Sequence, residues 1–391
     1  MVHKKIYHFS VPMPYEKEYI DELLNLNNCV EKSHINSFFF SLPSNCELYT
    51  GFEQDRNYAD QHIEFDYWKN LINYSIEKGI DFIYLLNNVM PFDLDNPNFN
   101  SKLKKLDRLL DELHKIGVKK LRVGSYQLMS YLSKYHNEFK IYASTGLEYK
   151  TLREYINFIT FHPEVKQIVI SQEINKNFKL IKNLRKAYPN LEIEIIVNEA
   201  CMKGCPHRIL HQSTIKNINA NNEDLFLSER YCLAYCSYIM KKYPFYSITL
   251  NNGIFPWELQ YYYEIGINKF KLTGRELFNY EMKNYIERYL HYLKAVDNIN
   301  SAENLSINTF FHHCKSNPIL SQIKTKEVFR LLPNIKHFIK KGHLCSSLCG
   351  IECQYCYKCA EKIEKVFKKQ QEEKNKRTIP FCVITKTKEL T

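Results

Sequence analysis

The stretch "VNEACMKGCPHRILH" (Val197 to His211) sets Cys201 and Cys205 four positions apart, directly after an apolar run, with Glu199, His207, Arg208 and His211 beside them. Of the thirteen cysteines in the chain, all but Cys29, Cys46, Cys314 and Cys382 fall in three groups. The segment "YCLAYC" repeats the C-x3-C spacing at Cys232 and Cys236, and "CSSLCGIECQYCYKC" supplies Cys345, Cys349, Cys353, Cys356 and Cys359. In a reducing compartment, clustered thiols argue for metal ligation over disulfides. Four thiolates hold either a tetrahedral zinc ion or an iron–sulfur cluster. Structural zinc favours tight C-x2-C knuckles, whereas the looser C-x3-C pairs suit a [4Fe-4S] cubane. The third reading is that the cysteines are buried and structural.

Other chemistry-bearing residues stand at the ends of apolar runs. Glu173 follows "VIS", Glu199 follows "IIV", Ser144 and Thr145 follow "IYA", and Lys271 and Arg275 bracket the end of "NKFKLTG". Glu199 and Glu173 are candidate general acids or bases, provided burial or a neighbouring charge shifts them. Arg275 and Arg208 suit a substrate carboxylate or phosphate, which a guanidinium fork pairs with bidentately. Spaced four apart, His207 and His211 share one face of any helix there, for a metal or acid–base role or as polar surface. The tyrosines at 261 to 263, among 29 in the chain, are predicted to pack a helix rather than to stack a ligand.

These residues need a scaffold, and the pattern supplies one. Eight β-rich runs alternate with helical patterns: "KIYHFSV" (Lys5 to Val11), "INSFFFSL" (Ile35 to Leu42), "IDFIYLL" (Ile80 to Leu86), "KKLRVG" (Lys119 to Gly124), "FKIYAS" (Phe139 to Ser144), "KQIVIS" (Lys166 to Ser171), "EIEIIV" (Glu192 to Val197) and "NKFKLTG" (Asn268 to Gly274). Between them, stretches such as "SKLKKLDRLLDELHKIG" carry apolar residues at three- and four-residue spacing and stop at Gly or Pro. The fold class is therefore α/β, a (β/α)8 TIM-type barrel over residues 1–298. An open doubly wound sheet is the alternative, but no glycine-rich phosphate loop follows the first run. The connection from Val197 to Asn268 is far longer than a crossover requires, and this insertion, at about 198–267, carries both C-x3-C pairs. Because loops at strand C-terminal ends line the active face of such barrels, topology puts Cys201 at the mouth. Past Asn298 the alternation stops, and residues 299–391 read as a cysteine-rich, metal-binding C-terminal appendage expected to form a site of its own.

Composition narrows the function classes. With 45% hydrophobic and 25% charged residues, long-range disorder is excluded. The opening "MVHKKIYHFSVPMPYEKEY" has no apolar signal region and no window approaches a membrane span, so a cytoplasmic protein without a membrane partner is expected. The net charge of +11 is densest in "EKIEKVFKKQQEEKNKR" (Glu361 to Arg377), whose mixed signs read as a solvated helix, with an anionic partner such as RNA as the alternative.

The segment "KQIVISQEINKNFKLIKNLRKAYPNLEIEIIVNEACMKGCPHR", with "GINKFKLTGREL" and "IYASTG", resembles peptidase family U32, the collagenase-like group, across roughly residues 80 to 295. Where that family usually has a histidine–glycine pair before its first cysteine, this chain has Asn198 and Glu199. The resemblance implies a [4Fe-4S] cluster on Cys201, Cys205, Cys232 and Cys236. It also implies oxygen-independent hydroxylation or another redox modification at the barrel mouth, with peptide hydrolysis second. Neither a Ser/His/Asp nor a Cys/His arrangement is visible for the latter, nor a zinc-protease helix. A non-catalytic metal scaffold or electron-transfer protein is the reading from another class. The substrate is of unassigned class (small molecule, peptide or RNA), and an electron donor is expected as partner. In the last group, "CGIECQYC" matches the C-x3-C-x2-C of radical S-adenosylmethionine enzymes, but too little chain follows Cys356 to build their barrel. Cys345, Cys349, Cys353, Cys356 and Cys359 are instead expected to hold a second iron–sulfur cluster or zinc.

Overall fold

The computed structural model describes residues 6–30, 33–54, 64–89, 99–199, 201–208, 238, 242–275, 277–293, 322, 329–342, 345 and 348–377. All eight predicted runs are strands: β1 (Tyr7–Pro12), β2 (Ser33–Phe40), β3 (Asp81–Leu86), β4 (Lys120–Val123), β5 (Lys140–Ala143), β6 (Gln167–Val169), β7 (Glu192–Ile196) and β8 (Lys269–Lys271). They pair in parallel in sequence order, and β1 closes the circle on β8, making a (β/α)8 TIM-type barrel. The expectation that β1 pairs in parallel with both neighbours holds.

Side chains alternate across each strand. One set, including Phe9, Ile35, Tyr84, Leu121, Ile141, Ile168, Ile195 and Phe270, joins the helices in the main core. The opposite set fills the lumen, and it is unusually polar for such a barrel. Ser10 Oγ donates to Glu194 (2.7 Å), whose other oxygen lies 2.6 Å from Arg122 Nη2, and that nitrogen also donates to Gln167 Oε1 (2.8 Å). Lys271 Nζ sits 4.0 Å above the Phe39 ring. A register shift between Phe9 and Ser10 keeps Ser37 and Phe39 on this inner face.

Helices α1 (Lys17–Cys29), α2 (Phe65–Glu77), α3 (Phe99–Lys115), α4 (Tyr126–Tyr135), α5 (Leu152–Phe161) and α6 (Phe178–Ala187) follow the early strands. Their starts are set by local chemistry: Ser125 caps α4, Asn177 caps α6, and Thr151 with Glu154 forms a capping box on α5. The long connection holds α7 (Pro244–Thr249) and α8 (Leu259–Glu264), and α9 (Asn279–His291) follows β8. Tyr262 is fully buried on α8, as the packing role predicted for it requires.

Two helices beyond the barrel return to it. Helix α10 (Ile335–Lys341) packs on α6, with Gly342 so close that an added Cβ would lie 3.1 Å from the Phe178 nitrogen. Helix α11 (Tyr355–Arg377) packs on α7, and Ala360 and Ile363 join Phe245 and Ile248 in a second apolar cluster with Phe367 against it. The charge run is thus helical as expected but not solvated all round, because its apolar stripe is covered by the insertion. Among the described residues no helix is long and apolar enough to cross a membrane.

Candidate functional site

The Cys201–Cys205 segment leaves the C-terminal end of β7 and turns at Gly204, whose φ of 69° is readily reached only by glycine. Its backbone is fastened on one side by Lys203 N–H to Leu250 O (2.8 Å) and Asn252 N–H to Cys201 O (3.1 Å). On the other side stands Glu173, in the turn after β6. Its Oε2 accepts the Gly204 N–H (2.9 Å) and its Oε1 accepts from Asn252 Nδ2 (3.1 Å). The structure therefore spends both oxygens of this predicted acid or base on holding the cysteine turn.

Glu199 is the acid that meets the sulfur. It is buried, one oxygen accepts from the Cys201 thiol (3.4 Å) and the other from the Gln172 amide. Arg208 lies at the end of the same segment, with Nε and Nη2 each 2.9 Å from Glu148 Oε1. Burial disfavours its charge, but Cys201, Glu148 and Glu199 outweigh that and raise the guanidinium above its ordinary range. Glu148 is the one residue other than glycine with positive φ (51°) among those described, and Ser171 Oγ donates to its second oxygen (2.7 Å).

The remaining predicted residues frame this group. Asn198 clamps β7 to β8 by donating to Thr273 O (3.0 Å) and accepting from Thr273 N–H (2.8 Å). Arg275 is buried across the mouth, with Nη1 donating to Ser41 Oγ (2.7 Å). Ser144 caps a short turn after β5, and Thr145 donates to Ile170 O (3.2 Å). His207 lies in a turn, half-buried, immediately before Arg208. Cys232, Cys236 and His211 lie outside the described residues, so half of the expected cluster ligands are not placed.

The C-terminal cysteines lie on a turn and the helix after it: the backbones of Cys349 and Cys353 make an isolated parallel bridge around Gly350 (φ 87°), and Cys356 and Cys359 stand at the start of α11. Burial pushes the Cys356 thiol up to about 12, with Lys176 opposing and Cys345, Cys349 and Cys359 adding to the rise. Burial also raises Cys349, opposed by Lys203, with Cys345, Cys353 and Glu173 acting upward. Cys353 Sγ is 3.6 Å from His337 Nε2. Lys203 belongs to the first cysteine turn and Glu173 braces it, so the Cys349–Cys353 turn lies beside it. The sequence left open whether the two cysteine regions meet in space; they are neighbours at the mouth, because α10 docks on α6 and the C-terminal cysteines follow it. Among the described residues no three of His, Cys, Asp and Glu are gathered closely enough to hold an ion as they stand.

Sequence reasoning missed Glu148, Gln172 and Asn252. Gln172 follows a strand end, where the rule that found Glu173 would also have found it, whereas Glu148 and Asn252 are defined only by partners far along the chain.

A model of peptidase family U32 matches residues 49–322. An uncharacterized protease of Methanocaldococcus jannaschii is 28% identical over 205 residues, 52% of this chain and 54% of that one. The chain thus spans about half the length of the curated relative it matches. Among solved structures, a U32 peptidase is similar at 11% identity and a TM-score of 0.46, covering 70% of this chain and 95% of its own. An N-acetylneuraminate lyase from Fusobacterium nucleatum gives 11% and 0.36, covering 93% and 99%. Since the family model spans most of the barrel, with Cys201, Cys205 and the residues that brace them inside it, the chain belongs to peptidase family U32.

Proposed function

We propose that this chain is an iron–sulfur enzyme that carries out oxygen-independent hydroxylation or a related redox modification of a substrate held at the barrel mouth. The observation that carries the reading is the braced Cys201–Cys205 turn at the end of β7. Two soft donors four residues apart are fixed by Glu173 and Asn252 on the face where barrels of this kind do chemistry. The donor chemistry fits: both cysteines offer soft, half-buried sulfurs, and Arg208 offers a charge to balance ligated sulfur. Cys201, Cys205, Cys232 and Cys236 are the ligands of this reading, and Cys345, Cys349, Cys353, Cys356 and Cys359 would supply a second metal site. A bound cluster would supply one-electron chemistry. The chain's own residues do the rest. Glu199 can hold or release a proton beside the site, and Arg275 can orient an anionic group of the substrate. An electron-transfer partner belongs with this reading.

Hydrolysis is the second reading, favoured by the protease name of the archaeal relative and by the buried Glu199 carboxylate, which could activate water. Anaerobic purification with iron and acid-labile sulfide analysis separates the two. Stoichiometric iron and sulfide, with visible absorbance that bleaches on reduction, supports the first reading. A colourless protein that cleaves peptides after zinc loading overturns it.

A further inference from the structure

Arg208 is 4% exposed, yet of its guanidinium nitrogens only Nε makes a hydrogen bond. Nε donates to Glu148 and Nη2 lies in ion-pair range of the same oxygen, but neither Nη2 nor Nη1 has a hydrogen-bond partner, and both are buried. Leaving a buried charged donor unmet is costly, so the arrangement implies an acceptor that is not part of the described protein. The brace is costly too. Glu148 holds a left-handed backbone with a side chain that disfavours it, and such outliers persist where the surroundings enforce them, commonly at functional sites. Its N–H donates to Thr145 O (3.0 Å), and Ser171 and Arg208 hold its side chain. Arg208 also touches the cysteine turn through its main-chain N–H, which donates to Cys205 O (3.3 Å), and through its charge, which Cys201 favours ahead of Glu148 and Glu199.

We propose that Arg208 is a positioning residue for the metal–thiolate group at Cys201 and Cys205, giving its unmet Nη1 hydrogen to the sulfur of ligated Cys201, with Glu148 as the brace that aims it. The proposal rests on the reading of these cysteines as metal ligands. It explains why a cation is buried between two carboxylates and a thiol: a ligated sulfur adds negative charge beside Glu148 and Glu199, and Arg208 offsets it.

The test is anaerobic titration of Co²⁺ into the full-length protein, read by sulfur-to-cobalt charge-transfer absorption, with thermal unfolding alongside. Arg208→Gln should weaken Co²⁺ binding by about tenfold to a hundredfold, the usual effect of removing a group that supports a metal ligand. Arg208→Lys, which keeps the charge and loses the fork, should fall between it and wild type, and Glu148→Gln should weaken binding with the backbone retained. Wild-type affinity and spectrum in a folded Arg208→Gln overturn the proposal. Should that variant not fold, unchanged affinity in both Arg208→Lys and Glu148→Gln overturns it equally. If wild type binds Co²⁺ but no iron–sulfur cluster can be reconstituted, the functional reading falls and this inference stands. If wild type binds neither, both fall.

Discussion

Glu258 offers a test of how the insertion is built. It sits in the turn Pro256–Glu258, fully buried, with Oε2 accepting the Phe255 N–H (2.9 Å). Burial raises its carboxyl from the ordinary 4.5 to about 7, against the opposing pull of Lys176 and the Phe255 N–H. Tyr262 and Tyr289 also face it. For an acid whose folded value exceeds its unfolded one, the folded chain keeps its proton longer. Stability therefore falls as pH rises from about 4.5 to about 7 and is level above that. At about 1.4 kcal/mol per pH unit the full effect is roughly 3 kcal/mol. Glu258→Gln keeps an oxygen for Phe255 and removes the charge. In urea unfolding followed by circular dichroism, the variant should match wild type at the acid end and gain up to roughly 3 kcal/mol above neutrality. Glu53, also raised by burial, acts alike in both proteins and cancels in the difference. Parallel stability–pH curves for the two proteins would refute the reasoning.

Three further outcomes are expected. Gly342→Ala places a Cβ 3.0 Å from Phe338 O, 3.1 Å from Phe178 N and 3.3 Å from Lys179 N, so it should cost about 1–3 kcal/mol and speed proteolysis of α11 while the barrel stays protected. Arg122→Ala strands Glu194 in the lumen and should destabilise by about 3–5 kcal/mol in urea, and a loss under about 1 kcal/mol would contradict the ion-pair account. Cys201→Ala should abolish iron uptake at the mouth whereas Cys29→Ala, an exposed thiol on α1, should not, and equal iron content in both would remove Cys201 from the ligand set.

The barrel was legible because each strand carries a short apolar outer face that the helices must cover, a signal that lies within a few residues of chain. The lumen hid the opposite face: Arg122, Gln167 and Glu194 read as polar interruptions, yet they pair with one another across strands. The mouth was only partly legible. Strand ends announced Glu173, Glu199 and Cys201, but the role of Glu173 depends on Asn252, far along the chain. Glu148 gave no signal at all, because its importance lies in a backbone angle and in Arg208. The meeting of the two cysteine regions was equally hidden, since it depends on the close approach of Gly342 to α6.

That docking has a temporal side. The barrel cannot close until β8 has been synthesised and met β1, and the segment that carries Cys345 to Cys359 leaves the ribosome only afterwards. Domains assemble from the N-terminus as synthesis proceeds at about 5–20 residues per second, so for some seconds the Cys201–Cys205 turn stands on a finished barrel without its neighbour. If Cys201 and Cys205 bind metal as proposed, a metal delivered in that interval would meet a turn that the C-terminal cysteines do not yet flank. The position of α10 thus sets the order in which the two cysteine regions come together during translation.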